Sequence, residues 1–300
     1  MYKIYSYAFH RVSDEYSPAY PPMPVRTFDK IIGFLSRKHL VIPQEELYSK
    51  TNFHTRKSLC VITFDDADYD FAECAMPILE KHKAPVALHV ISDVADTGKM
   101  FWTQRLNKII EGYYAEKKVL KLSHDGGELQ YEMKCDADVE QTALNAYLIL
   151  LKDPNRDAII DELEKKLDGS VMQTRMLRWN EIAQLDANVV SIGSHTQTHR
   201  NLMALSSNNE IKAELENSYN AIYGNLGKFP FSIAYPNGQY NEKINEIAIA
   251  TGYKVLYTCD AKPSLGFNDE GLYHRYNLYN REFWKNRLKI AMYSLKSVKL

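Results

Sequence analysis

Apolar and polar positions along this chain follow two periods in turn. "KIYSYAFH", residues 3–10, alternates residue by residue and predicts a short strand. "TFDKIIGFLSRKH" then sets Phe28, Ile31, Ile32 and Leu35 at helical spacing behind Thr27, a residue suited to cap a helix. The exchange recurs with "LCVITF" (59–64) as strand, "FAECAMPILEKHK" as helix and "PVALHVIS" (85–92) as strand. Further on it resumes with "RWNEIAQLDA" (helix), "VVSIGSH" (strand), "SNNEIKAELENSYNAIYGNLG" (helix), "FSIAYP" (strand), "YNEKINEIAIATG" (helix) and "KVLYTC" (strand). "SDEYSPAYPPMP" has the proline and turn formers of a loop.

The rhythm breaks between about residues 100 and 175. "FWTQRLNKIIEGYYAEKKVL" and "DVEQTALNAYLILLKDPNRDAIIDELEKKL" read as helix around a polar stretch with room for one short strand or hairpin. This segment is expected to be a mainly helical insertion in a single domain spanning 1–300. Apolar strands alternating with helices predict an α/β fold, a mostly parallel sheet covered by helices, open or closed into a barrel. In such folds function gathers at the C-terminal ends of the strands.

Composition narrows the class. Three hundred residues, 45% hydrophobic and 25% charged, are ordinary for a globular protein. A net charge of −1 leaves no overall footprint for nucleic acid or an anionic surface, and a run such as Arg287–Lys289 reads as a solvated helix face. Cys60, Cys74, Cys135 and Cys259 are widely spaced, which fits a reducing compartment better than a disulfide framework or zinc ribbon. The opening residues lack the pattern of a signal peptide, and no window is apolar enough to span a membrane, so a cytoplasmic location is expected.

Candidate chemistry sits at the strand ends. Asp65 and Asp66 follow "CVITF", His195 and His199 follow "VVSIGS", Tyr235, Pro236, Asn237 and Gly238 follow "FSIA", and His10 follows "YSYAF". Two histidines four apart reach one point from a helical turn or compact loop. With one carboxylate they make a three-ligand site for a divalent metal, leaving the second carboxylate free as a base. Zinc is the default; iron, cobalt and nickel also suit this donor set. His54, His82, His89 and His124 are read as structural, Trp102 and Trp179 as core or rim aromatics, and Cys60 and Cys259 as small buried apolar residues.

With these residues in view, the sequence resembles the polysaccharide deacetylase (NodB-homology) family, carbohydrate esterase family 4. "TFDDA", Thr63 to Ala67, is similar to its Thr-Phe-Asp-Asp-Gly motif, and "HTQTH", His195 to His199, to its His-Ser/Thr-x-x-His motif. "AYPNG", 234–238, is similar to a Tyr-Pro-x-Gly variant of the third, and "AFHRVS" to the segment that begins many members. The resemblance implies a distorted (β/α) barrel of seven strands and metal-dependent deacetylation of sugars. It implies Asp65 as general base, Asp66, His195 and His199 as metal ligands, and a backbone N–H from the Tyr235 region for the oxyanion, with Pro236 and Gly238 shaping that loop. Three departures stand out. Ala67 replaces glycine, the third motif lacks its arginine, and the late Leu-x-His motif is not obvious. Arg275 is the candidate to orient the base, and His274 or His10 to supply the acid.

The expected activity is removal of an N-acetyl group from a carbohydrate within intracellular glycan assembly, of the capsule or O-antigen kind. The substrate would be an acylated sugar, free or carried on a nucleotide or lipid, and nucleic acid is not an expected partner. Two alternatives share the sequence features: deformylation of a formamido sugar, and glycan binding without catalysis.

Overall fold

The computed structural model describes residues 2–169, 174–268, 270–279 and 281–296. The chain divides into two compact units, Met1–Asp14 with Met23–Thr97 and Leu177–Leu300, and Glu15–Pro22 with Gly98–Met176.

The first unit is a closed barrel of seven parallel strands ringed by helices. Its strands are β1 (Lys3–Phe9), β2 (Leu59–Phe64), β3 (Val86–Val90), β4 (Val190–Ser194), β5 (Ser232–Ala234), β6 (Val255–Thr258) and β7 (Leu272–Asn277). Each strand pairs with the next in chain order, and β7 closes onto β1 with Ser6 opposite Arg275. Leu40–Val41 and Ser264–Leu265 add short pairings at the N-terminal ends of β2 and β1. The six strands expected from the pattern are present. The seventh, "LYHRYN", escapes the pattern because its inward row includes a buried arginine.

Strand alternation sorts side chains into two layers. Ile4, Leu59, Val61, Val255, Tyr257 and Tyr273 fill the barrel, with Ile42 and Leu47. Their neighbours Tyr5, Tyr7, Phe9, Cys60, Ile62, Phe64 and Tyr276 face outward beneath the helices. Helix α1 (Val25–Lys38) buries Phe28, Ile31, Ile32 and Leu35 there, as its spacing predicts. It starts at Val25 behind Pro24, not at Thr27. Pro24 O accepts from the N–H groups of Thr27 and Phe28, while the Thr27 hydroxyl donates to Arg281 O at 2.7 Å. A π-turn at Phe71–Ala75 leads into α2 (Met76–Lys81). Helix α3 (Asn208–Leu226) opens on a Ser207–Glu210 capping box and ends at Gly227 in the left-handed region, followed by α4 (Glu242–Thr251) and α5 (Phe283–Lys296).

The second unit combines helices Trp102–Ala115, Asp136–Leu150 and Arg156–Lys165 with a hairpin, Leu120–His124 against Gly127–Tyr131. Leu106, Ile110, Leu122, Val139, Ala146, Ile160 and Leu163 are buried in it. Trp102 stacks on Tyr147 at 5.5 Å with the Arg156 guanidinium 4.4 Å from its ring, a closed aromatic packing.

Candidate active site

Strand β2 ends where its inward row turns polar. Thr63 and Asp65 continue the row of Leu59 and Val61, and the Asp65 N–H still donates to Phe9 O, so Asp65 is anchored as a strand residue. The backbone then turns through the left-handed region at Asp66 (φ 74°) and Ala67 (φ 63°), which swings Asp66 over the barrel mouth. After β4, Ser194 Oγ accepts from Thr196 N–H, and Thr196 Oγ1 accepts from His199 N–H. These short bonds, with positive φ at Thr196 and His199, fold "SHTQTH" into a compact loop.

The two loops bring Asp66, His195 and His199 together. His195 Nε2 lies 3.5 Å and His199 Nε2 3.7 Å from Asp66 Oδ1, and one ligand atom from each residue falls within 4.8 Å of the others. The His195 Nδ1–H donates to Ala234 O at 2.7 Å, which turns Nε2 toward the cluster as a lone-pair donor. Burial lowers the His195 imidazole to about 4, so it is neutral, as a ligand must be. Asp66 Oδ1 is buried with no hydrogen-bond partner. Burial, then Asp68 and Asp65, raise the Asp66 carboxyl well above the usual range. An orphaned buried carboxylate oxygen facing two imidazole nitrogens fits a divalent cation.

Asp65 lies on the other side of this turn, held from below. Arg275 on β7 grips it with two bonds, Nη1 to Oδ1 at 2.7 Å and Nη2 to Oδ2 at 2.8 Å. The same guanidinium reaches Thr63 Oγ1 and Thr258 O and lies over the Tyr257 ring. His89 on β3 donates from Nδ1 to Asp65 Oδ1 at 3.1 Å, and its Nε2 meets Ser232 Oγ at 2.9 Å. Burial alone would raise the Asp65 carboxyl; Arg275, His195 and His89 hold it well below the usual range. A buried ion pair seldom stabilises a fold more than apolar packing of the same volume. This one sits beside the Asp66 cluster.

Comparison with known proteins now decides the family. The polysaccharide deacetylase family model matches residues 53–256. The chain belongs to the polysaccharide deacetylase family. Solved structures with the same fold include the Streptococcus pyogenes deacetylase PplD in complex with acetate (18% identity, TM-score 0.62, 96% of this chain and 97% of that one). IcaB from Ammonifex degensii is similar at 15% identity and TM-score 0.63, over 98% of this chain and 97% of its own. A de-N-acetylase from Aggregatibacter actinomycetemcomitans is similar at 15% identity and TM-score 0.59, over 95% of this chain and 99% of its own. No curated relative matches.

The other residues singled out in this member of the polysaccharide deacetylase family fall in different places. His10 sits at the mouth, 26% exposed, with Nε2 3.9 Å from Asp65 Oδ2; burial lowers its affinity for a proton, Asp65 opposing. His274 is not brought to the cluster. It belongs to the opposite row of β7 from Arg275, and its Nδ1 meets Thr258 Oγ1 at 2.8 Å and Asp260 at 3.4 Å. The Tyr235 N–H donates to Tyr257 O, and its hydroxyl donates to Asn245 Oδ1, so both are engaged within the fold. Among the described contacts of the loop, Gly238 N–H donates to Tyr235 O and Gln239 N–H to Pro236 O, which leaves the Asn237 N–H, at φ 60°, as the available donor. Gly238 has a positive φ, and a side chain there would collide with Cys259.

His89 is the buried, hydrogen-bonded histidine its strand position suggests, but the sequence does not name Asp65 as its partner. The ring of His89 lies over Gly193, where a Cβ would come within 2.4 Å of both the His89 ring and Ser232 Oγ. His82 bonds Asp29, and Trp179 donates to Asp96, both structural roles.

Proposed function

We propose that this protein removes the N-acetyl group of an acetylated carbohydrate, and that it does so with a divalent metal, zinc by default, held by Asp66, His195 and His199. The observation that carries this reading is the orphaned Asp66 oxygen facing two imidazole nitrogens beside a base clamped by arginine. A bound metal supplies Lewis acidity at the acyl oxygen and lowers the pKa of water. Asp65, kept ionised by Arg275 and His89, takes the proton of the attacking water. The Asn237 N–H donates to the acyl oxygen as charge develops on it. His10, beside Asp65 at the mouth, protonates the leaving amine. The sugar substrate is free or borne on a nucleotide or lipid carrier.

The test is metal content and acetate release with N-acetylglucosamine oligomers and uridine-diphosphate N-acetylglucosamine. About one equivalent of metal is expected, and Asp65→Asn should keep the metal while losing turnover by roughly 100-fold or more. An Asp65→Asn protein as active as the parent would remove the base assignment. A parent that retains no metal after loading would remove the ligand assignment.

A further inference from the structure

Helix α5 is apolar on two opposite sides. Its inner side, with Ile290 and Tyr293, packs into the cluster outside the barrel. Its outer side carries Trp284, Leu288 and Met292, which are 58%, 55% and 58% exposed. Their spacing of four aligns them as one stripe along the helix. A surface helix normally turns a polar face to water, and an aligned apolar stripe there marks a contact surface.

The charge of the sequence that holds the stripe is one-sided. Residues 281–300 hold Arg281, Lys285, Arg287, Lys289, Lys296 and Lys299 against Glu282 alone, a net charge of +5 in a chain whose total is −1. The near-neutral total therefore hides a basic segment, and the solvated face expected at Arg287–Lys289 borders apolar side chains. At 100° per residue, Lys285 and Lys289 flank the stripe on one side and Arg287 on the other. Helix α1, beside α5 through Phe34–Phe283 and Lys38–Ser294, ends in Arg37 and Lys38.

We propose that the outer face of α5 docks on an anionic lipid bilayer, with Trp284, Leu288 and Met292 entering the headgroup boundary and Lys285 and Arg287 on the lipid phosphates. Lipid rewards both halves of this pattern, apolar insertion and basic flanks. A second copy of the chain would set one basic face against another. A nucleic acid would reward the cations and leave the apolar stripe in water. Helix α5 follows β7, so the Trp284 end of the stripe lies at the barrel end that carries Asp65 and Asp66. No helix among the described residues is long and apolar enough to cross a membrane, so this is contact from one side. The docking does not depend on the catalytic reading.

The experiment is co-sedimentation of the full chain with phosphatidylcholine vesicles and with vesicles holding about 30% phosphatidylglycerol. Binding to the anionic vesicles at least roughly tenfold stronger is expected, weakened by salt, with tryptophan fluorescence quenched by lipids brominated on their tails. The triple variant Trp284→Ser, Leu288→Ser, Met292→Ser should lose this binding at an unchanged unfolding temperature. The pair Lys285→Glu, Arg287→Glu should lose its preference for anionic lipid. Failure to sediment with either vesicle, or equal binding by parent and both variants, would overturn the proposal. So would a concentration-dependent dimer abolished by the serine substitutions, which would assign the stripe to a second copy.

Discussion

Ala67 shows how strain collects at this site. It stands in the left-handed region at φ 63°, with its N–H on Asp65 O and its carbonyl accepting from Leu177. Asp66, Thr196, His199 and Asn237 share positive φ. A Cβ in this region costs about 1 kcal/mol or more, and such strain gathers at active sites. Ala67→Gly is expected to raise stability by up to about 1 kcal/mol, less than the full relief because glycine frees the unfolded chain. The check is the urea midpoint at an unchanged slope; a fall in the midpoint would mean the turn holds alanine without strain. The residues of the candidate metal cluster were legible because their segments follow apolar strands with an abrupt polar run. His89 was legible as a hydrogen-bonded core histidine but not as a partner of Asp65. Its partners Ser232 and Gly193 lie on other strands, and only their juxtaposition gives the histidine a purpose.

At the level of elements, β3, β4 and β5 meet at one point. Gly193 on β4 leaves the space that the His89 ring from β3 fills on its way to Ser232 on β5. Gly193→Ala is expected to cost about 1–3 kcal/mol through overpacking, because His89 is held at both ring nitrogens and has nowhere to move. Adding His89→Ala should recover part of that loss, so the double variant lies above the sum of the singles; strict additivity in urea unfolding would mean the two do not touch. The pattern gave six strands and missed β7 because its inward row pairs Tyr273 with a buried arginine, Arg275, which breaks the apolar periodicity. It also placed the start of α1 at Thr27, where a proline with fixed φ takes the cap and frees the threonine to reach Arg281. The hairpin in the insertion was legible as a possibility only. Its second strand, Gly127–Tyr131, is nearly all exposed and carries no apolar face to announce it.

Across the whole molecule, buried histidines tie stability to pH. His39 is sealed between α1 and the outer face of β1, in ring contact with Tyr5 and Tyr7, and burial lowers it to about 4. An unfolded histidine takes its proton near about 6.5. Between those two values the unfolded chain binds the extra proton. Stability is therefore full above about pH 6.5 and falls as pH drops toward 4, by about 3 kcal/mol from this side chain. Since His89 and His195 act equally in parent and variant, the gap in stability between the parent and His39→Gln isolates it. That gap should shrink by about 3 kcal/mol from pH 7 to pH 4, and parallel curves would assign the acid sensitivity elsewhere. The bond between Arg275 and Asp65 joins residues 210 positions apart. A ribosome adding about 5–20 residues per second makes the aspartate roughly 10 to 40 seconds before its arginine. During that interval a charge without its partner opposes burial of the β2 tip. The nascent chain carries its own quality check: barrel closure and the clamp on Asp65 both wait for the delivery of β7, so an unfinished copy has neither a sealed core nor a paired Asp65.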